Sequence, residues 1–436
     1  MKAQRLLFGL LTPALGGQTR TAVAVAEVLR DRGYAIDFLV SASSDAENTD
    51  PSAPTTSLIR AAGFPLIPIA GLYGRPGQRS FRRNLRDLVR QHQYDVLHWF
   101  EVHAGVRDAA LVAAQERRAF VWTITSGGAP AGYYGLPRVV VFTQEVAADA
   151  RRKSPQTVVH VLPARVDFRA LRPDLVESWR RDLRSRYGIG DDELLIVRVA
   201  RCASVYSRSV GLGIALASSL TRAGRPARFL HAGYAEDPDV ASDIRRLVDL
   251  ANASAPRPSA FSITDDVESG TRYMAAADVC IGSGRTAIES LALERPTLAA
   301  WGSRYLGMVD GDNIHAFAET NFQGRHSQKL VSDEDAVAQM HEAVCRRLSE
   351  PEQGASTHER CAQFIRKQYS VEGAADTYER LYADRTVTVD GFLKYYSSPR
   401  HLGRELFYRL PLSIRVSRPV SFLRRAQLWP GLPGTD

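Results

Sequence analysis

Short apolar runs alternate along the first half with stretches in which apolar residues recur at helical spacing. Leu6–Leu11 is a continuous apolar run and reads as a buried strand. Gly16-Gly17 breaks it. Ala22, Val25, Ala26 and Leu29 then repeat at a period near 3.6, and Gly33 ends that helix. Ala35–Val40, Tyr94–Trp99, Ala119–Ile124 and Val139–Phe142 read as further strands with helices between them. A second alternation starts at Leu194-Leu-Ile-Val-Arg-Val-Ala200 and continues through Ala227–His231, Ala260–Ile263, Val279–Ile281 and Pro296–Ala300. Strands that alternate with helices predict α/β units built on parallel, doubly wound sheets. The charged, helix-prone stretch Pro173–Gly190 lies between the two sets and reads as the linker, with the boundary near residues 180 to 190.

The length of 436 residues suits two domains of this kind. Four cysteines without CxxC spacing argue against a disulfide scaffold or a structural zinc site and suit a reducing cytosol. There is no run of eighteen apolar residues, so no transmembrane helix is expected. The start, Met1-Lys-Ala-Gln-Arg-Leu-Leu-Phe, mimics a signal peptide. It leads into glycines and an amphipathic helix instead of a cleavage site, so a first strand is the better reading. The formal net charge is +8, which nucleic acid, an anionic membrane surface or phosphorylated substrates would each explain. Residues 387–436 hold eight Lys or Arg against three acidic groups, interleaved with aromatics from Phe392 to Trp429. That extension reads either as a basic tail wrapping the first domain or as a segment lying on an anionic membrane surface.

The densest chemical signal is Ile281-Gly-Ser-Gly-Arg-Thr-Ala-Ile-Glu289. A strand runs into Gly282, Ser283 and Gly284, and a helix follows. Glycines at a strand's C-terminal end let backbone come close to a ligand, and the first N–H groups of the helix then face it, which suits a diphosphate. Arg285 adds a charge, Thr286 a hydroxyl, and Glu289 an acceptor for a ribose diol. A helix start tightened by glycines with no ligand fits the same spacing. Arg201 follows the strand Leu194–Ala200, and Arg208 is placed in a loop before the helix of Leu212–Leu220. Two such cations would stabilise charge on a departing phosphate. Gly16, Gly17 and Arg20 follow the first strand, but no GxGxxG is present and no acidic residue ends the second strand. A nicotinamide-dependent oxidoreductase is therefore not indicated.

In order and spacing these features resemble the GT-B glycosyltransferases, particularly the family 4 type of bacterial enzymes, over most of residues 5–385. Gly16-Gly17 with Gly33-Tyr34-Ala-Ile resembles that family's Gly-Gly loop and helix end. Asp95-Val-Leu-His98, Phe142-Thr-Gln-Glu145 and Val161-Leu-Pro-Ala-Arg-Val-Asp167 resemble its later first-domain strands and the run before its linker. Val199-Ala-Arg201 resembles its Gly-Arg strand end, and Ala277-Asp278 to Pro296 its donor-site signature.

The resemblance implies two Rossmann-like domains facing a cleft: residues 1–180 on the acceptor side and 190–365 holding a nucleotide sugar. A helix at 366–386 would pack back toward the first domain, and 387–436 would be an extension. It implies retaining sugar transfer, without metal or other cofactor, from a nucleotide-diphosphate sugar to a glycan, lipid-linked or small-molecule acceptor. Bacterial cell-surface glycan synthesis is the implied setting, in the cytoplasm or peripherally at the inner membrane surface, with no nucleic-acid partner. Carried over, Arg201 and Arg208 would bind the diphosphate and Glu289 the ribose. Gly282, Ser283, Gly284, Arg285 and Thr286 would present donors to phosphates or sugar, and Gly16, Gly17 and Arg20 would lie on the acceptor or sugar side.

Three departures stand out. The family pairs two Glu eight positions apart; here the second is Glu289 and the first position is Ile281. Arg208 stands where a Lys is usual. The family's first-domain His has two candidates, His98 and His103, of which His103 would face the sugar. A catalytically silent subunit with this fold, or a GT-B sugar epimerase, are the alternative readings.

Overall fold

A computed structural model describes residues 4–11, 16–41, 54–69, 75–100, 105–125, 136, 138–155, 157–163, 165–255, 260–265, 270–301, 304–324 and 331–384. The chain divides into Met1–Leu162 with Ala374–Asp436, and Pro163–Gly373. His103 and the extension 387–436 lie outside the described residues.

In the first unit strands and helices alternate: β1 (Arg5–Gly9), α1 (Gly17–Asp31), β2 (Ala35–Ser41), α2 (Pro54–Ala61), β3 (Leu66–Ile69), α3 (Arg75–His92), β4 (Val96–Trp99), α4 (Val106–Gln115), β5 (Ala119–Ile124), β6 (Arg138–Val141), α5 (Gln144–Lys153) and β7 (Val158–Val161). The sheet order is β3-β2-β1-β4-β5-β6-β7, all parallel. The apolar opening run is therefore a central strand, with Leu6, Leu7 and Phe8 fully buried. The winding reverses between β1 and β4, so Gly16-Gly17 follows a strand at the switch point, where open α/β sheets bind ligands. One face of β5 sends Phe120, Trp122 and Ile124 into an apolar core with Leu97, Trp99 and Val139. Against the other face lies an aromatic group of Phe8, Phe100, His98, Tyr378 and Tyr382.

The second unit opens with two 3-10 turns, Phe168–Leu171 and Pro173–Leu175. It continues with α6 (Val176–Arg186), β8 (Leu194–Val199), α7 (Ser204–Arg222), β9 (Ala227–Ala232), α8 (Pro238–Ala253), β10 (Phe261–Thr264), α9 (Gly270–Ala276), β11 (Val279–Gly282), α10 (Arg285–Ala292), β12 (Thr297–Trp301), β13 (Arg304–Val309), α11 (Ile314–Glu319), α12 (Asp333–Ser349) and α13 (Pro351–Tyr369). A last helix, α14 (Glu372–Ala383), crosses the division, and from Ala374 its residues group with the first unit. The sheet order is β10-β9-β8-β11-β12-β13, parallel except for the β12–β13 pair. An antiparallel hairpin thus closes a sheet expected to be parallel throughout. Alternate residues of β8 serve two cores: Leu195 and Val197 on one face, Ile196 on the other.

The division falls earlier than residues 180–190. The stretch Pro173–Gly190 is not a free linker: on α6, Arg180 and Arg184 both bond the Asp278 carboxylate that precedes β11, at 2.5 and 3.2 Å. Asp278 also accepts the Leu195 N–H at 2.7 Å. A carboxylate held by two guanidinium groups and a backbone donor fastens α6 to the second sheet.

Candidate functional site

In the second sheet the winding reverses between β8 and β11, and the two strongest sequence features meet at that point. Arg201 lies two residues beyond the end of β8. The glycine turn joins β11 to α10. Thr286 ties the two together, because its Oγ1 donates to the Val199 carbonyl at 2.9 Å. The hydroxyl therefore serves the fold.

The turn is as tight as its sequence suggests. Only Ser283 and Gly284 separate strand from helix. Gly284 has φ +54°, which an L side chain adopts only with strain. A Cβ on Gly282 would come within 2.7 Å of Thr286 Cγ2. The Gly284 N–H is not presented outward: it donates to the Phe322 carbonyl at 3.1 Å. The next N–H groups, of the first turn of α10, have no acceptor within the helix and carry its positive end.

Behind this end lies a ring of bonds absent from the sequence reading. Asn321 and Phe322 both adopt positive φ, 59° and 55°. The buried Arg165 guanidinium donates to Asn321 Oδ1 and lies 5.6 Å from the Tyr369 ring centre. Arg285 Nη1 donates to the Arg165 carbonyl at 2.8 Å, and Arg285 Nε to Glu289 Oε1 at 2.5 Å. Burial holds the Arg165 guanidinium down to about 10. Glu289 is only 8% exposed, and Arg285 fixes its carboxylate while leaving further acceptor capacity. Arg165 and Asn321 stand 156 positions apart, and the Val161–Asp167 run that contains Arg165 gives no sign of this meeting.

The two expected phosphate cations differ. Arg201 is about one-third exposed and pairs with Glu236. Arg208 is not in a loop: α7 begins at Ser204, and Arg208 sits within it. It bonds Asp333 at 2.5 Å and the Val331 carbonyl at 2.8 Å. Its charge is directed to the N-terminal turn of α12.

Ile281 lies inside β11, fully buried in the apolar core of the α7 face. Its cross-strand neighbour on β8 is Arg198. A carboxylate here would enter the core, so the eight-residue spacing back from Glu289 leads into the sheet and not to a sugar-facing loop.

In the first unit Gly16 precedes α1, and its carbonyl accepts the Arg20 N–H at 3.2 Å. Gly16 has extended backbone, and a Cβ there would meet no described atom within 4 Å. Gly17 is exposed at the first helical position. His98 is excluded as a reacting group: it is fully buried, and its ring nitrogens bond Tyr382 Oη at 2.7 Å and Thr123 Oγ1 at 2.8 Å. Burial holds its imidazole neutral, well below the ordinary range.

Residues 15–194 match the family described as Glycosyltransferase Family 4. No curated protein matches the chain. Among solved structures it is similar to a glycosyltransferase from Rickettsia africae (13% identity, TM-score 0.65), covering 88% of this chain and 99% of that one. It is also similar to Anabaena HepE in complex with UDP and glucose (13% identity, TM-score 0.60, 87% and 100% covered). The UDP-GlcNAc 2-epimerase of Neisseria meningitidis, bound to UDP-GlcNAc, is similar too (13% identity, TM-score 0.56, 87% and 99% covered). At this identity the structures establish the fold, which is GT-B. The family match is confined to residues 15–194, within the first alternating set and the start of the second. Among the described residues no helix is long and apolar enough to cross a membrane, and no cluster of His, Cys, Asp and Glu could hold a metal ion.

Proposed function

We propose that the second unit binds a nucleotide-diphosphate sugar at the β8–β11 switch point and that the protein transfers the sugar, with retention, to an acceptor held by the first unit. The observation that carries this is the Thr286–Val199 bond, which brings the α10 N-terminus and the Arg201 strand end to one sheet edge. In this reading the first turn of α10 and Arg201 take the diphosphate, and Glu289 takes the ribose hydroxyls. Arg208 is left out because Asp333 and the Val331 carbonyl direct it to the start of α12, whereas Arg201, also paired with a carboxylate, stands at the switch-point strand end. Gly16 and Gly17 leave room on the acceptor side, and Arg20 on the first turn of α1 supplies charge there.

Negative charge grows on the departing diphosphate in the transition state, so a fixed cation and aligned N–H groups lower the barrier. The leaving phosphate takes the acceptor proton, and no carboxylate pair of the glycosidase type is required. A glycan, lipid-linked or small-molecule acceptor in cell-surface glycan synthesis fits this reading, with the protein in the cytoplasm and residues 387–436 on the inner membrane surface.

The test is to incubate the protein with UDP-, GDP- and ADP-sugars and candidate acceptors and to follow nucleotide release. Acceptor-dependent release is expected. Binding without turnover would show a silent subunit, and an isomerised donor sugar without acceptor would show an epimerase.

A further inference from the structure

Arg198 occupies the middle of an apolar strand and is only 1% exposed. Its Nε donates to Ser209 Oγ at 2.8 Å, and its guanidinium carbon lies 5.0 Å from the centre of the Tyr206 ring. Both partners are on the first turns of α7. Its Nη1 is buried without a hydrogen-bond partner. No carboxylate of the described residues pairs with it; the groups acting on its charge are Tyr206 and Cys202. Across the sheet its neighbours are His231 on one side and Ile281 on the other. Burial and the Arg198 charge hold His231 down to about 3, so it stays neutral and adds no compensation.

A buried guanidinium without a counterion is costly for a fold, and an apolar residue of similar volume would serve the core as well or better. Its position suggests what it acts on. Tyr206 is the electrostatic neighbour of both Arg198 and Arg201. Arg198 also precedes Arg201 by three residues on the strand whose end carries it. The N-terminus of α7 adds positive potential there, since its preceding residue, Ala203, caps no N–H with its side chain.

We propose that Arg198 is a positioning charge for the donor diphosphate: a fixed buried cation that attracts the phosphates without touching them, supplying the second positive charge that Arg208 does not. The inference rests on the donor-site reading above. Low-dielectric surroundings carry such a field farther than water would. The apolar Ile281 beside Arg198 is part of the same arrangement, because an acid there would neutralise it.

The experiment uses the full chain and whichever of UDP, GDP and ADP the wild type binds best, together with the matching neutral nucleoside. For Arg198→Met, diphosphate affinity should fall about tenfold while nucleoside affinity stays within about twofold, and the melting temperature should hold or rise. Ile281→Glu tests the same charge with the guanidinium in place and should give the same selective loss. If Arg198→Met does not fold, Ile281→Glu decides. Unchanged diphosphate affinity in the folded variants would overturn the inference, and so would an equal loss for nucleoside and diphosphate, which marks a purely structural role. A wild type that binds no nucleoside diphosphate would instead overturn the donor-site reading, and this inference with it.

Discussion

The Thr286 hydroxyl donates to the Val199 carbonyl at 2.9 Å, joining the start of α10 to the end of β8. Losing it removes one hydrogen bond between the two elements. Thr286→Val should cost about 0.5–1.5 kcal/mol in stability and raise the donor KM several-fold, whereas Thr286→Ser should restore both. Thermal melting and donor titration check this. Unchanged values in the Val variant would mean that the bond does not shape the site.

The two arginines of the sequence motif should separate. Arg201→Ala is expected to weaken nucleoside diphosphate binding by about 10- to 100-fold, the loss for a charge-assisted contact. Arg208→Ala removes a partly exposed ion pair with Asp333 and should change binding by less than about twofold and stability by less than about 1 kcal/mol. Calorimetric titration of both variants tests the assignment, and equal losses would return Arg208 to the site.

Gly16 is extended and meets no described atom where a Cβ would stand, so the fold does not require glycine there. Gly16→Ala should leave the melting temperature unchanged and lower kcat/KM, as a methyl group would occupy space kept for the sugar or acceptor. Full activity in the Ala variant would end that role.

Three histidines make the fold acid-sensitive. His98, His231 and His358 are held neutral by burial, the last two down to about 3 and about 4. Unfolded, each takes up a proton near pH 6.5. The unfolded state then binds more protons, so stability is unaffected above about pH 6.5 and is lost as pH falls toward these low values. His231 should cost roughly 2 kcal/mol at pH 5. Urea unfolding at pH 7 and pH 5 should show the drop, and His231→Gln should make it smaller by about that amount. An identical drop would remove His231 from the account.

Much of the architecture is legible in the sequence because period and apolarity are local properties. The runs at Ala35, Ala119, Leu194 and Ala227 each begin a strand. β3, β7 and β13 went unrecognised. β3 and β7 end the first sheet and β13 ends the second; β3 is interrupted by Pro68, β7 has only four residues, and β13 mixes Arg304 and Gly307 with its apolar positions, so none shows a clear period.

The sequence by itself determined two alternating α/β sets, the glycine turn into a helix and the arginine at a strand end. All are set by neighbours along the chain. Tertiary structure alone decided which partners these side chains meet. It turned Arg208 to Asp333, closed Arg165 onto Asn321 and placed Ile281 beside Arg198. These partners lie 83 to 156 positions apart (Ile281 minus Arg198 gives 83), and no local periodicity encodes such a meeting. Burial, which makes Arg198 costly and Glu289 fixed, likewise arises only when the sheet is assembled.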